Sequence, residues 1–333
     1  ETPTPERVER LGLAAALWSG RGRVFIGRDT RGSGRMREDG FAMDDGTTAR
    51  LGEQHFIMTT TTANAGKVMQ HLEFCRQVLW PELDVRLVSV SDHWAQYAVA
   101  GPRSRDVLAK LVEAPFDISN EGFPRMGAGE LTICGGVPAR LFRVSFSGEM
   151  AYEIAVPARY GDAAIRALMQ VGAEFDITPY GTEALNVLRI EKGHVGGAEI
   201  NGQTTARDLG LGGMVTADKD CIGKVLAQRP ALLDPARPIV VGVKPVDPAQ
   251  SLTAGSHFIP VGADAVVAND QGYLTSVAFS PVLGQDIGIG FLARGRDRIG
   301  ERIRAVDLLR GHNVECVVAS PVFYDPDGKR THG

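Results

Sequence analysis

The chain of 333 residues carries 36 Lys and Arg against 40 Asp and Glu, for a formal net charge of −4. This small charge argues against a nucleic-acid partner and against an anionic membrane surface, and the length is enough for two or three compact units. No run of about 18 apolar residues is present, so no membrane span is predicted. The start at Glu1 lacks the charged and apolar regions of a signal peptide.

Residues 1–35 are predicted to form an atypical lead-in. Only Val8–Trp18 has a helical pattern, and Gly20–Arg37 is crowded with Arg and Gly without an apolar period. A basic arm is one interpretation, and a poorly packed or disordered segment is the favoured one. The absence of an initiator Met indicates a processed product or a fragment of a longer subunit.

Residues 36–115 are predicted to form an α+β lobe. Phe41–Met43 and His55–Met58 flank a polar turn like the two strands of a hairpin. Apolar residues recur at helical spacing in Ala65–Leu79, and Trp94–Ala100 has the pattern of a strand that leads into a helix.

Residues 116–228 are predicted to form a second α+β lobe, and residues 236–333 a small β-barrel. The second lobe contains predicted strands and helices, which are Leu131–Ile133, Ala139–Val144, Ala151–Val156, Gly161–Val171 and Thr182–Glu191. The Pro-rich linker Arg229–Pro238 marks the next boundary. Beyond it, short β-rich segments are separated by Gly and Pro turns, which is typical of a small barrel. The overall class is therefore α+β.

The four cysteines, Cys75, Cys134, Cys221 and Cys316, are scattered and never form a CxxC pair. This pattern argues against a disulfide framework and against a zinc site. We therefore expect buried thiols, no metal, and a cytoplasmic location. His194 follows a predicted helix, where a capping or packed residue is more common than a metal ligand.

No dinucleotide fingerprint, phosphate loop or HExxH helix is present. The adjacent carboxylates Asp44 and Asp45 lie at a predicted strand end, where neighbouring side chains point to opposite sides. One of them can therefore enter a pocket, although a solvated turn is the alternative from pattern alone.

Five motifs, in a fixed order, carry a resemblance that goes further. They are Arg37-Glu-Asp-Gly-Phe-Ala-Met-Asp-Asp-Gly46, Ser145-Phe-Ser-Gly-Glu-Met-Ala-Tyr-Glu-Ile154, Leu188-Arg-Ile-Glu-Lys-Gly193, Thr275-Ser-Val-Ala-Phe-Ser-Pro-Val-Leu-Gly284 and Ser320-Pro-Val-Phe323. Together they resemble the signatures of the T-protein (aminomethyltransferase) family of the glycine-cleavage system. Met58–Thr62, Asn201–Gly210 and Gln271–Pro281 resemble the branch of that family formed by the α subunits of heterotetrameric sarcosine oxidase.

The resemblance implies a three-lobed folate-binding fold with a C-terminal small β-barrel and with tetrahydrofolate in a central channel. It implies flavin-containing sarcosine oxidase subunits as partners, with flavin and NAD only on other subunits or other parts of the protein. It also implies a small iminium, formed by oxidation of sarcosine, as the substrate whose methylene passes to tetrahydrofolate. The products are then 5,10-methylenetetrahydrofolate and glycine.

The resemblance also assigns roles to single residues. Asp44 matches a catalytic aspartate near the reactive nitrogens of the folate, Glu153 matches a pterin-binding glutamate, and Arg189 matches a folate-contacting arginine. An ion pair with Glu183 or Glu191 is the alternative for Arg189.

Three further positions belong to the folate site that the resemblance implies. Phe146 stands where the family usually has Tyr, which leaves stacking without a phenolic hydrogen bond. Thr61 stands where the T-protein has Asn, which weakens an amide contact. Tyr152 alternates to the other strand face from Glu153, so core packing competes with a role in binding.

Other functions stay open at this stage. A stand-alone glycine-cleavage-type or dimethylglycine-type aminomethyltransferase is one, and a non-catalytic scaffold lobe of a flavoenzyme complex is another. The iron–sulfur assembly branch is disfavoured because its Lys-Gly-Cys-Tyr-x-Gly-Gln-Glu motif is missing. Glu1–Gly34 does not resemble the strand-rich segment that precedes the Asp-Asp motif in the family, and a truncated or frame-shifted start is one hypothesis for this.

Overall fold

The computed structural model describes residues 36–215 and 221–332, together with the backbone of residues 24–25. The predicted helix Val8–Trp18 lies outside the described residues. The chain divides into two units. Among the described residues, the first unit holds residues 24–25, 44–180 and 328–332, and the second holds residues 36–43, 181–215 and 221–327.

The strands of the described residues follow one another in chain order as β1 (Val24–Phe25), β2 (Thr48–Gly52), β3 (His55–Met58), β4 (Trp94–Ala100), β5 (Gly127–Ile133), β6 (Val137–Phe142), β7 (Ala151–Pro157), β8 (Pro238–Pro245), β9 (His257–Pro260), β10 (Gly272–Ser280), β11 (Gln285–Ala293), β12 (Arg302–Asp307) and β13 (His312–Ala319). The α-helices are α1 (Ala65–Phe74), α2 (Ser104–Ala109), α3 (Gly161–Gly172), α4 (Thr182–Glu191), α5 (Lys224–Ala227), α6 (Pro230–Leu233) and α7 (Lys329–His332). A π-helical turn, Cys75–Leu79, continues α1 and completes the predicted helix. None of the helices in the described residues is long and apolar enough to cross a membrane.

Among its described residues, the first unit contains a five-stranded antiparallel sheet in the order β1-β5-β6-β7-β4. One face of this sheet is covered by α2 and α3. Leu108 of α2 and Leu168 of α3 pack in one buried cluster with Tyr152 and Ile154 of β7. Apolar residues on α3 recur at the spacing of helical turns, so the helix presents one stripe to the sheet.

The hairpin β2–β3 packs against the other face of the sheet, where Ala49 of β2 contacts Phe142 and Val144. The prediction for His55–Met58 is confirmed, but the partner strand is Thr48–Gly52 and not Phe41–Met43. A hairpin favours a short loop, and only two residues separate β2 from β3. Phe41–Met43 belongs to the second unit, where the Ala42 N–H donates to the Thr204 carbonyl at 2.8 Å.

The second unit is built around a closed barrel that has six strands among the described residues, in the order β10-β11-β8-β13-β12-β9. The predicted C-terminal barrel is therefore confirmed. Alternating residues of the strands fill the interior, including Val243, Phe258 and Leu274. Gly290 is required by this packing, because a Cβ atom there would lie 2.5 Å from the Tyr273 carbonyl oxygen.

The predicted segments 36–115, 116–228 and 236–333 are divided differently in the structure. Strand β4, predicted in the first segment, pairs along its whole length with β7 of the second. Helix α4, predicted in the second segment, belongs to the unit that contains the barrel. Composition marks linkers along the chain, whereas these assignments depend on pairing between distant residues.

None of the four cysteines, all of which are described, forms a disulfide. The expectation of buried thiols is confirmed for Cys75 and Cys316 but is wrong for Cys134, which is exposed. Cys134 lies in the turn between β5 and β6 with a φ of 51°. Burial raises the pKa of the Cys316 thiol to about 12.

We expect the thiol of Cys316 to resist alkylation in the folded protein at pH 8, while Cys134 is modified. The buried Cys316 is protonated at this pH and excluded from reagent, and the thiolate is the reactive form. Mass spectrometry after timed N-ethylmaleimide pulses measures both rates, and the same pulses in urea serve as the control. Equal labelling of Cys316 and Cys134 in the folded protein would contradict the packing of the barrel.

Candidate functional site

Asp44 lies just before β2 and is 3% exposed. Its Oδ1 accepts a hydrogen bond from the Gly46 N–H at 2.8 Å. Its Oδ2 accepts one from the Thr61 hydroxyl at 2.6 Å, and the Thr61 N–H lies 3.2 Å from both oxygens. The carboxylate is therefore fixed in position by donors from both sides of the hairpin.

Thr61 reaches Asp44 because the open end of the hairpin brings the two chain segments together. The Thr59 N–H donates to the Thr47 carbonyl at 2.8 Å, and the hydroxyls of these two threonines lie 2.9 Å apart. Thr61 follows two residues later and precedes a short 3-10 helix, Thr62–Asn64. The structure thus brings together Asp44 and Thr61, which are two of the predicted site residues.

Glu153 lies on β7, half-buried, on the sheet face against which the hairpin packs. It is opposite Phe142 on β6 and Ala98 on β4, and residues directly opposite in an antiparallel pair share a face. The Gln96 side-chain amide donates to the Glu153 carboxylate at 2.5 Å. Ala98, opposite Glu153, is small and exposed, so it adds little bulk beside the Glu153 carboxylate.

Tyr180, like Gln96, is a group near Glu153 that the sequence analysis missed. Burial raises the pKa of the Tyr180 phenol, and the negative charge of Glu153 raises it further. A phenol is protonated at neutral pH even without these effects, so Tyr180 keeps its hydrogen-bond donor there. Neither Gln96 nor Tyr180 belongs to a sequence motif that indicates a site. Only the strand pairing shows that Gln96 lies beside Glu153.

Tyr152 points to the opposite face from Glu153, as the strand alternation predicts. It is fully buried, and its ring stacks on Phe123 with the centroids 6.4 Å apart. The Arg105 guanidinium donates to the Tyr152 hydroxyl at 2.9 Å. These contacts are those of a core residue with a satisfied polar end, and we assign Tyr152 to packing.

Phe146 lies in the loop between β6 and β7 and is 39% exposed. The loop is shaped by the Gly148 N–H, which donates to the Ser145 hydroxyl at 3.0 Å. Gly148 has a φ of 86°, a conformation that favours glycine. An exposed aromatic ring on this loop can offer a flat apolar surface to a ligand.

Arg189 belongs to α4 of the second unit, and its side chain is bound within that unit. The guanidinium pairs with Glu199 at 3.0 Å and donates to the Ser276 hydroxyl at 2.6 Å. Its partner is therefore Glu199 and neither of the two acidic residues considered from the sequence. The Arg189 carbonyl accepts from the His194 N–H at 2.8 Å, so His194 lies in the turn that follows α4.

Glu199 is fully buried and accepts four hydrogen bonds. Besides Arg189, the donors are the Gly196 N–H at 2.6 Å and the hydroxyls of Thr275 and Ser276 at 2.5 and 2.6 Å. A buried charge requires this degree of pairing, because its removal from water is costly. The network joins α4, the following loop and barrel strand β10.

Two family models match this chain. The one described as the GCVT N-terminal domain covers residues 31–219, and the one described as the glycine cleavage T-protein C-terminal barrel domain covers residues 240–325. The chain belongs to the glycine cleavage T-protein family. The predicted α+β aminomethyltransferase fold with its C-terminal barrel is thereby confirmed.

Two kinds of relative are similar over most of this chain. It is 52% identical over 299 residues to sarcosine oxidase subunit alpha of Rhizobium meliloti, which covers 89% of this chain and 30% of that protein. It is 30% identical over 326 residues to the aminomethyltransferase of Streptomyces coelicolor, covering 96% of this chain and 82% of the relative. The chain thus spans about 30% of the length of the sarcosine oxidase subunits that it matches.

A solved structure shares the fold. The glycine cleavage system aminomethyltransferase T of Bartonella henselae matches with a TM-score of 0.77 and 22% identity, over 98% of this chain and 83% of that one.

We expect Glu199→Gln to lower the free energy of unfolding by about 3–5 kcal/mol, because it leaves the Arg189 charge buried without its carboxylate. Glu315→Gln is the control, since it removes an exposed partner of Arg302 and should cost about 1 kcal/mol or less. Urea unfolding of both variants measures the difference. A loss for Glu199→Gln no larger than that of the control would contradict a structural role for the network.

Proposed function

We propose that this chain is the tetrahydrofolate-binding domain of a sarcosine oxidase α subunit. In this proposal it transfers a methylene group from oxidised sarcosine to tetrahydrofolate. The observation that carries the proposal is the buried Asp44 carboxylate, held in a single orientation at the hairpin that packs on the Glu153 face of the sheet. The names of the relatives, sarcosine oxidase subunit alpha and aminomethyltransferase, support the same reaction class.

The residues around Glu153 fit one end of a folate. A carboxylate accepts two charge-assisted hydrogen bonds from the amino group and a ring N–H of a pterin. The small side chain of Ala98 leaves room for a flat ring beside Glu153, and Gln96 fixes one carboxylate oxygen. The Tyr180 phenol and the exposed ring of Phe146 add aromatic surfaces in the same unit.

The reaction balances without an added oxidant. The iminium CH2=NH⁺–CH2COO⁻ and tetrahydrofolate give 5,10-methylenetetrahydrofolate and glycine, and the two N–H protons of the folate end on the glycine nitrogen. Bound tetrahydrofolate supplies the two nitrogen nucleophiles that take up the methylene carbon. The protein binds the pterin through Glu153 and holds the negative charge of Asp44 near the reacting nitrogens.

The oxidation step is assigned to other parts of the enzyme. In the proposal, flavin-containing sarcosine oxidase subunits produce the iminium, and any flavin or NAD is bound outside this chain. The assembled enzyme is proposed to be cytoplasmic. A folate contact by Arg189 stays a prediction of the family resemblance. In the structure the Arg189 guanidinium donates to the side chains of Asn186, Glu199 and Ser276 and to the His194 carbonyl.

A stand-alone aminomethyltransferase is the second candidate. It is favoured by the match to the Streptomyces coelicolor enzyme, of which this chain covers 82%. The two candidates share the folate site and differ in the donor of the methylene group. Transfer from an aminomethyl-lipoyl protein, without transfer from oxidised sarcosine, would select this second candidate.

We expect Glu153→Ala to weaken tetrahydrofolate binding at least tenfold, which corresponds to about 1.4 kcal/mol, because it removes the bidentate acceptor of the pterin. Anaerobic isothermal titration calorimetry measures the affinity. Glu174→Ala is the matched control, because Glu174 is exposed and pairs only at the surface with Lys110. A folded wild-type chain that does not bind tetrahydrofolate would refute the proposal and favour a scaffold role.

We expect Asp44→Asn to reduce methylene transfer by about 10²-fold or more while sarcosine oxidation continues. The assembled enzyme is supplied with sarcosine and tetrahydrofolate, and methylenetetrahydrofolate is measured against free formaldehyde, the hydrolysis product of uncaptured iminium. Asp45→Asn, a change at the adjacent and less buried carboxylate, is the control. An unchanged product ratio in Asp44→Asn would show that Asp44 is not catalytic.

A further inference from the structure

Thr61 uses both its hydroxyl and its backbone N–H on the Asp44 carboxylate. The hydroxyl lies 2.6 Å from Oδ2, and the N–H lies 3.2 Å from each oxygen. The family resemblance assigned Thr61 to the folate, but in the structure these two donors bind another residue of the predicted site. Such a residue acts on a ligand through its partner.

We infer that Thr61 is a positioning residue that holds Asp44 as an oriented anion, so that Asp44 assists methylene transfer by its charge rather than by accepting a proton. This inference rests on the proposed function. Hydrogen bonds donated to a carboxylate favour its charged form, and a short bond from a hydroxyl is among the stronger ones. Together with the Gly46 N–H, three donor groups stabilise the negative charge of Asp44.

An anion stabilised in this way is a weak proton acceptor but a good partner for a cation. The iminium carries a positive charge, and positive charge passes between nitrogens as the methylene moves. A fixed negative charge in a buried position interacts more strongly with these nitrogens than a solvated one does. The burial of Asp44, at 3% exposure, therefore suits the electrostatic role.

The threonine run from residue 59 to residue 62 explains why Thr61 is well placed. Thr59 is bound to Thr47 across the hairpin, which fixes the chain two residues before Thr61. Threonine is branched at Cβ and has few χ1 rotamers, so its hydroxyl loses little freedom in reaching Asp44. The longer asparagine that the T-protein has at this position would need a different path to the same carboxylate.

The test compares Thr61→Val, which removes the hydroxyl at nearly constant shape, with Thr61→Ser, which keeps it. Each variant is assayed in the assembled enzyme for tetrahydrofolate affinity and for the pH dependence of methylene transfer. We expect Thr61→Val to bind folate within about threefold of wild type and to lose about 10-fold to 100-fold in kcat, because the carboxylate is misplaced. The acid limb of its profile of kcat against pH should move to higher pH. Thr61→Ser should restore most of the kcat and most of the wild-type position of the acid limb. Thr62→Val, a change at the exposed neighbour, is the control.

Two results would overturn the inference and leave the proposed function standing. One is a wild-type kcat with an unchanged acid limb in Thr61→Val. The other is restoration of methylene transfer in Asp44→Asn by imidazole, a neutral base that can replace a proton acceptor but not a charge. We expect no restoration. If the wild-type enzyme makes no methylenetetrahydrofolate, the proposed function fails and the inference fails with it, which is a distinct outcome.

Discussion

The alternation of side chains along β7 is the constraint on which the first unit depends. Its position between β6 and β4 holds it in register on both sides. Tyr152 and Ile154 are thereby directed into the core beneath α2 and α3, while Glu153 is directed to the opposite face. A shift of one residue would expose the core side chains and bury the carboxylate, so the packing energy of the core also fixes the functional group.

The two carboxylates of the proposed site are positioned by different physical means. Glu153 is placed by regular strand geometry, and its carboxylate accepts a hydrogen bond from Gln96 on the adjacent strand. Asp44 is placed by a cluster of local donors at the end of a hairpin. The first arrangement leaves a surface on which a ring can lie, and the second fixes a charge in one orientation.

Local patterns predicted much of the fold. The β-barrel, the helix beginning at Ala65, and the opposite orientations of Tyr152 and Glu153 all followed from periodicity or strand alternation. The partner of strand His55–Met58 was mispredicted, because the residues around Gly52 were interpreted as a polar turn, and only the pairing shows that Thr48–Gly52 is a strand. The motif match pointed to Asp44 and Thr61. The hydrogen bonds between them join residues seventeen positions apart, and the spacing in the sequence could not predict them.

The ion-pair partner of Arg189 could not be predicted from sequence spacing either. Its two acidic neighbours on α4 were reasonable candidates for an ion pair, because they lie on the same helix. The observed partner, Glu199, comes after the helix has ended and meets Arg189 only because the loop turns back toward β10. Contacts made by such a return of the chain depend on the tertiary fold, so a helix-based pattern does not reveal them.

The buried Arg189–Glu199 pair has a consequence for how the second unit responds to heat. The hydration of charged groups becomes less favourable as temperature rises, so the cost of keeping two charges away from water falls. Hydrophobic stabilisation per unit of buried area reaches a plateau over the same range. The ion pair between α4 and the following loop, to which hydroxyls of barrel strand β10 are hydrogen-bonded, therefore contributes a growing share of the cohesion of this unit as the protein approaches its melting temperature.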